Sequence, residues 1–309
     1  MTQTGMNPQG MVTGALGAGQ GVVFPTPGQM MRRRAYRHYG FIFGGVILVL
    51  ILAMALLAPW IAPHDPYYQD LERRLMPPIW QSNSTWNHPL GTDNLGRDYL
   101  SRLIYGARIS LLIGLSAMFL SGLFGSSLGL IAGYFGGRID MMVTFLITVR
   151  LALPVILVAL AVVALIGSSL KVVILVLGLL IWERFAVVMR SSTQQLRSMD
   201  YVSAAKATGC STPRILLAEI LPNLMNNLIV VATLEMARAV LLEAALSFLG
   251  MGVQPPLPSW GLMVSEGKEF MFFNPYLITI PGIAIFLLVL SVNLLGDGIR
   301  DITAPESST

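Results

Sequence analysis

Among the charged side chains that lie inside runs of otherwise apolar residues, Arg150, Glu235, Arg238 and Glu243 stand out. Acids and bases placed this way can share a proton in catalysis, hold helices together as ions, or line a polar path. Glu235 and Glu243 stand eight positions apart on one expected helix. That is about 12 Å of rise, too far for a shared-proton dyad. No histidine falls in an apolar run, and Lys171 sits at the edge of one, so no nucleophile–base pair for intramembrane hydrolysis is apparent. Arg150 and Glu235 enter their runs to similar depth if both helices point the same way, and Arg238 follows Glu235 by one turn on the same face. The expectation is an Arg150–Glu235–Arg238 cluster turned to the protein interior, either as a static ion pair or as a polar lining.

Other chemistry is scarcer. A phosphate loop needs G-x-x-x-x-G-K-[ST] after a strand. The stretch "GLMVSEGKE", Gly261 to Glu269, has one residue too many and ends in Glu, so nucleotide hydrolysis by this chain is not expected. Cys210 is the single cysteine, which excludes an intrachain disulfide. His38, His64 and His88 lie outside the apolar runs and not at metal-ligand spacing, so no metal site and no bound cofactor are expected.

The elements that must position these residues are helices in lipid. Of 309 residues 54% are hydrophobic and 12% charged. A soluble domain would carry about 25% charged residues. The apolar residues come in blocks near the ~20-residue length that crosses a bilayer. Six blocks, at about 41–62, 109–133, 141–166, 171–190, 224–249 and 275–296, predict an all-α polytopic membrane protein with six spans. An even number puts both termini on one side, and the arginines at 32–37 place that side in the cytoplasm. Residues 1–35, rich in Gly, Gln, Thr and Pro, read as a disordered cytoplasmic tail, residues 36–303 as the membrane domain and 304–309 as a short C-terminal tail. The net charge of +4 comes from scattered bases that flank apolar blocks, which argues for membrane orientation and against nucleic acid. "SGLFGSSLGLIAGYFGG" (Ser121 to Gly137) repeats small residues every three or four positions, as helices packed closely on a neighbour do.

One polar segment interrupts the apolar blocks, "DYVSAAKATGCSTPRILLAEILPN", residues 200–223. Asp200 is placed to cap a short helix, Gly209 to end it with positive φ, Thr212-Pro213 to start another, and Leu221-Pro222 to bend the chain into the fifth block. Ala204, Ala205 and Ala207 give the short helix a surface of little bulk, suited to a groove on another protein.

Ala204-Ala205, Gly209 and Leu221-Pro222 match A-A-x-x-x-G followed thirteen positions later by the Pro of L-P. This resembles the cytoplasmic "EAA" loop (here 198–223) of the permease subunits of bacterial ABC importers. "HPLGTDNLGRDYLSRLIYGARISLLIG" (His88 to Gly114), "LSFLGMGVQPPLPSWG" (Leu246 to Gly261) and "NLLGDGIRD" (Asn293 to Asp301) resemble the second permease subunit of the dipeptide/oligopeptide/nickel group, over about residues 35–303. Two departures stand out: Ser203 occupies the position of the motif's Glu, and Thr148 that of an Asp common before "ALP".

The resemblance implies a type I importer fold in a bacterial inner membrane. Its partners would be a second permease subunit, two cytoplasmic ATPases that hold the ATP and Mg²⁺, an extracytoplasmic solute-binding protein, and lipid. It implies ATPase coupling through Asp200, Tyr201, Ser203, Ala204, Ala205, Gly209, Leu221 and Pro222. The implied cargo is a di- or oligopeptide, with glutathione-like solutes and nickel complexes as alternatives.

Overall fold

The computed structural model describes residues 34–303, so both expected tails lie outside the described residues apart from Arg34 and Ala35. Those described residues form helices and loops, with one isolated bridge between Thr92 and Asp98. From Tyr39 onward the α-helices are, in chain order, α1 (Tyr39–Leu56), α2 (Ala58–Ile61), α3 (Tyr99–Phe135), α4 (Gly137–Ala152), α5 (Val155–Ile166), α6 (Leu170–Leu180), α7 (Glu183–Leu196), α8 (Asp200–Ala207), α9 (Thr212–Arg214), α10 (Leu221–Phe248), α11 (Trp260–Gly267) and α12 (Tyr276–Thr303).

Length and apolarity mark four crossings among the described residues: α1, α3, the stretch Leu170–Leu196 spanning α6 and α7, and α12. A fifth is the pair α4 and α5, bent by 86°. The expected 141–166 span is therefore not straight. Pro154 disfavours helical geometry in the residue before it, and Leu153 is extended at φ −95° and ψ 127°. Helix α10, expected as the fifth of six spans, is 28 residues long but carries Glu235, Arg238 and Glu243 and is not among these five.

The glycine stripe packs as its spacing predicts. A Cβ on Gly129 would lie 2.6 Å from Ala186 O and 2.8 Å from Met189 Cβ, and one on Gly133 2.6 Å from Arg190 O. Only hydrogen on that face lets α3 and α7 meet backbone to backbone. Two ends of the molecule can then be told apart. At one, His38 caps α1 through Nδ1, leaving Nε2 to donate to Asp301 at 3.0 Å, so the two limits of the described chain meet. At the other, the Tyr99 hydroxyl donates to Leu277 O at 2.5 Å and the His64 amide to Ser101 Oγ at 3.0 Å. Buried Trp260 donates from Nε1 to Leu103 O at 2.9 Å and fixes α11 across α3 at this second end.

Candidate functional site

Helix α8 lies at the end of the bundle where α3 and α7 finish. Its buried Val202 joins Leu130, Met189, Ile215, Ile220 and Leu224 in one apolar cluster, with Ala205 half-buried against it. Lys206 Nζ sits 5.0 Å from the centroid of the Tyr134 ring. The opposite face is open: Asp200, Tyr201, Ser203, Ala204, Ala207 and Gly209 are exposed. The small-residue surface therefore consists of Ser203, Ala204 and Ala207, while Ala205 turns toward the bundle.

The helix limits match the sequence reading, but the caps do not. Met199 is the N-cap, with extended backbone and no side-chain hydrogen bond, and Asp200 is already helical. Ser211, not Thr212, precedes the next turn. At the C-terminus the reading holds, since Gly209 has φ +80°. Its amide donates to Lys206 O at 3.0 Å and the Cys210 amide to Ala205 O at 3.0 Å, the paired bonds of a Schellman stop.

Leu221-Pro222 does not bend the chain sharply. Residues Ile215–Ile220 form a π-helical turn that runs directly into α10, with Leu221 N–H bonded to Leu216 O. Widening that turn accommodates the N–H that Pro222 lacks and the bulk of its ring. The last turns of α7, which lead into α8, are tied to α4 and α3. Arg190 grips Asp140 at the start of α4 through two nitrogens, the Nη2 contact being 2.7 Å. Arg197 Nη1 donates to Tyr134 O at 3.0 Å, at the end of α3.

The intramembrane charges are arranged differently from the expectation. Glu235 is fully buried and meets Arg238 at 3.4 Å, as the spacing predicts. Arg150 does not join them. It donates to Leu153 O at 3.2 Å and, by a shorter bond, to Leu180 O. These carbonyls lie at the break between α4 and α5 and at the end of α6, where the helical partners run out. A guanidinium with several fixed donors suits two such helix ends.

The place foreseen for Arg150 belongs to residues the sequence reading passed over. Buried Glu183 accepts from Arg238 at 2.9 Å, and Arg184 Nε lies 3.3 Å from Glu235 Oε1. Their signal was visible as two adjacent charges inside an apolar block. Glu183, Arg184 and Glu235 border a cleft of about 300 Å³ whose other walls are Leu151, Val187, Val188, Val231 and Leu234. Glu243 stands apart from this group, its Oε1 accepting from Ser247 Oγ at 2.8 Å and Ser259 Oγ at 3.0 Å. It anchors the turn into α11 rather than an ionic cluster.

The histidines were not expected to gather, yet the fold brings two together. The His64 and His88 rings stand 4.7 Å apart beside Asp98. This trio lies at the end opposite α8.

The described residues thus form a helical bundle with four or five crossings, a short helix exposed at one end and paired charges inside, and the comparisons with known proteins place it among transport permeases. The profile of the binding-protein-dependent transport system inner membrane component matches residues 125–308, and the chain belongs to that family. The N-terminal TM domain of oligopeptide transport permease C matches residues 26–78. Among curated relatives, the di/tripeptide transport system permease protein DppC of Pseudomonas aeruginosa is 40% identical over 285 residues, covering 92% of this chain and 94% of the relative. The dipeptide permease protein DppC of Escherichia coli is 42% identical, with coverage of 91% and 94%. The glutathione transport system permease protein GsiD of Pectobacterium atrosepticum is 36% identical, with coverage of 91% and 92%. The inward-facing structure of the methionine ABC transporter MetNI shares the fold at TM-score 0.53 and 16% identity, covering 66% of this chain and 97% of that one.

Proposed function

We propose that this chain is one of two permease subunits of an ATP-driven importer of di- and tripeptides, with six crossings and both termini in the cytoplasm. The relatives named for di- and tripeptides, about 40% identical over nearly the whole chain, carry the reading. The glutathione relative points to small peptides as the common chemistry. Two ATPase subunits bind and hydrolyse ATP with Mg²⁺, a solute-binding protein delivers cargo at the end opposite α8, and this chain performs no catalysis.

In this mechanism the exposed Ser203–Ala204–Ala207 face of α8 seats in an ATPase cleft, where side chains of minimal bulk allow close approach. Asp200, Tyr201 and Gly209 border that contact, while Leu221 and Pro222 join its π-helical base to α10. Closure of the ATPase pair does work on the bundle only if the docked helix is held better in one state than in the other. Val202, Arg197 and the Asp140–Arg190 pair pass the displacement to α3, α4 and α7. The acids and arginines beside the cleft between α4, α7 and α10 offer counter-charges to the termini of a zwitterionic peptide.

The test is uptake in a deletion strain, with labelled dipeptide challenged by tripeptide, glutathione or Ni²⁺. Uptake should return with the wild-type chain and be competed by tripeptide. With Ala204→Glu it should fall at least about tenfold while the chain still reaches the membrane, because charge and bulk enter a desolvated contact. Competition by Ni²⁺ but not by peptides would refute the peptide reading. Full uptake with Ala204→Glu would refute the coupling surface.

A further inference from the structure

We propose that His64, His88 and Asp98 bind one divalent transition cation of the zinc class at the end of the protein opposite α8. Asp98 is the N-cap of α3, and its Oδ2 is committed, accepting from the Ser101 amide at 2.8 Å and the Ser101 hydroxyl at 2.6 Å. Its Oδ1 is left facing both imidazoles, 2.9 Å from His88 Nδ1 and 3.8 Å from His64 Nδ1. Ligands on a tetrahedral ion with bonds of about 2.0–2.1 Å stand ~3.3 Å apart, and these two separations bracket that edge. One atom from each of the three residues can be chosen so that all lie within 4.8 Å of one another.

The surroundings hold the donors in place. Ser101 Oγ also accepts the backbone N–H of His64 at 3.0 Å, so the residue that caps with Asp98 fixes the position of His64. The side chains of Asp98 and His88 are 1% and 10% exposed, whereas His64 is 39% exposed and opens a route for entry. A water would fill the fourth position. Two imidazoles and one carboxylate select among cations, since Ca²⁺ and Mg²⁺ prefer six or more oxygens, while Zn²⁺, Co²⁺, Ni²⁺ and Cu²⁺ accept nitrogen. A bound ion would pin both ends of the segment 64–98 to the start of α3. That segment holds one short 3-10 turn, Leu71–Arg73, and one isolated bridge, Thr92 to Asp98, and is otherwise irregular. The inference stands apart from the choice of cargo.

The experiment uses the full transporter complex, purified through a tag without histidines, stripped with chelator and titrated with Zn²⁺ and Co²⁺. About one equivalent should bind to the stripped wild type, with Co²⁺ giving the intense visible bands of a low-coordinate N/O site. His64→Ala removes a half-exposed ring with no tight hydrogen bond and should leave the fold intact. His88→Asn keeps a donor for Asp98 while removing the imidazole. Both should weaken Zn²⁺ binding by more than about 100-fold, beyond the 10–100-fold expected when only a supporting partner is lost. Failure of the wild type to bind, or equal binding by the wild type and both variants, would overturn the site and leave a hydrogen-bonded His–Asp pair. Uptake need not be measured, so the outcome is separate from that of the transport test.

Discussion

Val202→Ala should loosen α8 from the bundle without altering its exposed face, the one proposed to meet an ATPase. Val202 is fully buried and is the only fully buried residue of α8. Truncation to Ala removes two methyl groups, worth about 0.8 kcal/mol each in transfer, and leaves a small cavity, for a total of about 1.5–2.5 kcal/mol. An eight-residue helix has almost no stability of its own in water, so its amides are protected chiefly by docking. The cost should therefore appear as local opening, with exchange about 10- to 70-fold faster. Hydrogen–deuterium exchange on the purified complex would read the amides of Ser203 to Thr208 against those of α3. The expected pattern is acceleration confined to α8 and the turn after it, with coupled ATPase activity reduced in parallel. Unchanged exchange in α8 would refute the docking argument, and uniform acceleration across α3 would show that the substitution acts on the whole bundle.

Two further outcomes separate the observed charge arrangement and topology from their alternatives. In a double-mutant cycle read by thermal unfolding of the complex, Glu183→Gln and Arg238→Gln should couple by about 0.5–3 kcal/mol. Arg150→Glu should gain nothing from Glu235→Arg, since Arg150 binds carbonyls; rescue by that swap would refute the assignment. In a Cys210→Ser background, cysteines at exposed Ser82 and Gln254 should react with an impermeant thiol reagent applied to intact cells, and one at Ser203 should not. Labelling at Ser203 would invert the proposed orientation.

Much of the candidate site could be read along the chain because it is local. The limits of α8 and the positive φ of Gly209 follow from backbone preferences within a few residues. Close packing of α3 follows from the period of its glycines. The apolar blocks set the class of protein, because a buried backbone in lipid must satisfy its own hydrogen bonds. The caps shifted by one residue, since neighbouring positions compete for a terminus and packing of Val202 sets the helix phase.

What only the tertiary structure decided involves partners far apart in sequence. Depth along two helices placed Arg150 level with Glu235, but depth says nothing of rotation about each helix axis or of where a helix breaks. The break at Pro154 and the end of α6 expose carbonyls that claim Arg150, and Arg238 reaches Glu183, 55 positions away, as well as Glu235 on its own helix. His64, His88 and Asp98 show no ligand spacing, because a long loop and a helix start supply them. Composition fixes which segments are apolar enough to enter a membrane and that charges inside them must find polar partners. The pairing of buried polar groups depends on rotation, breaks and loop closure, and those are settled only when the helices pack together.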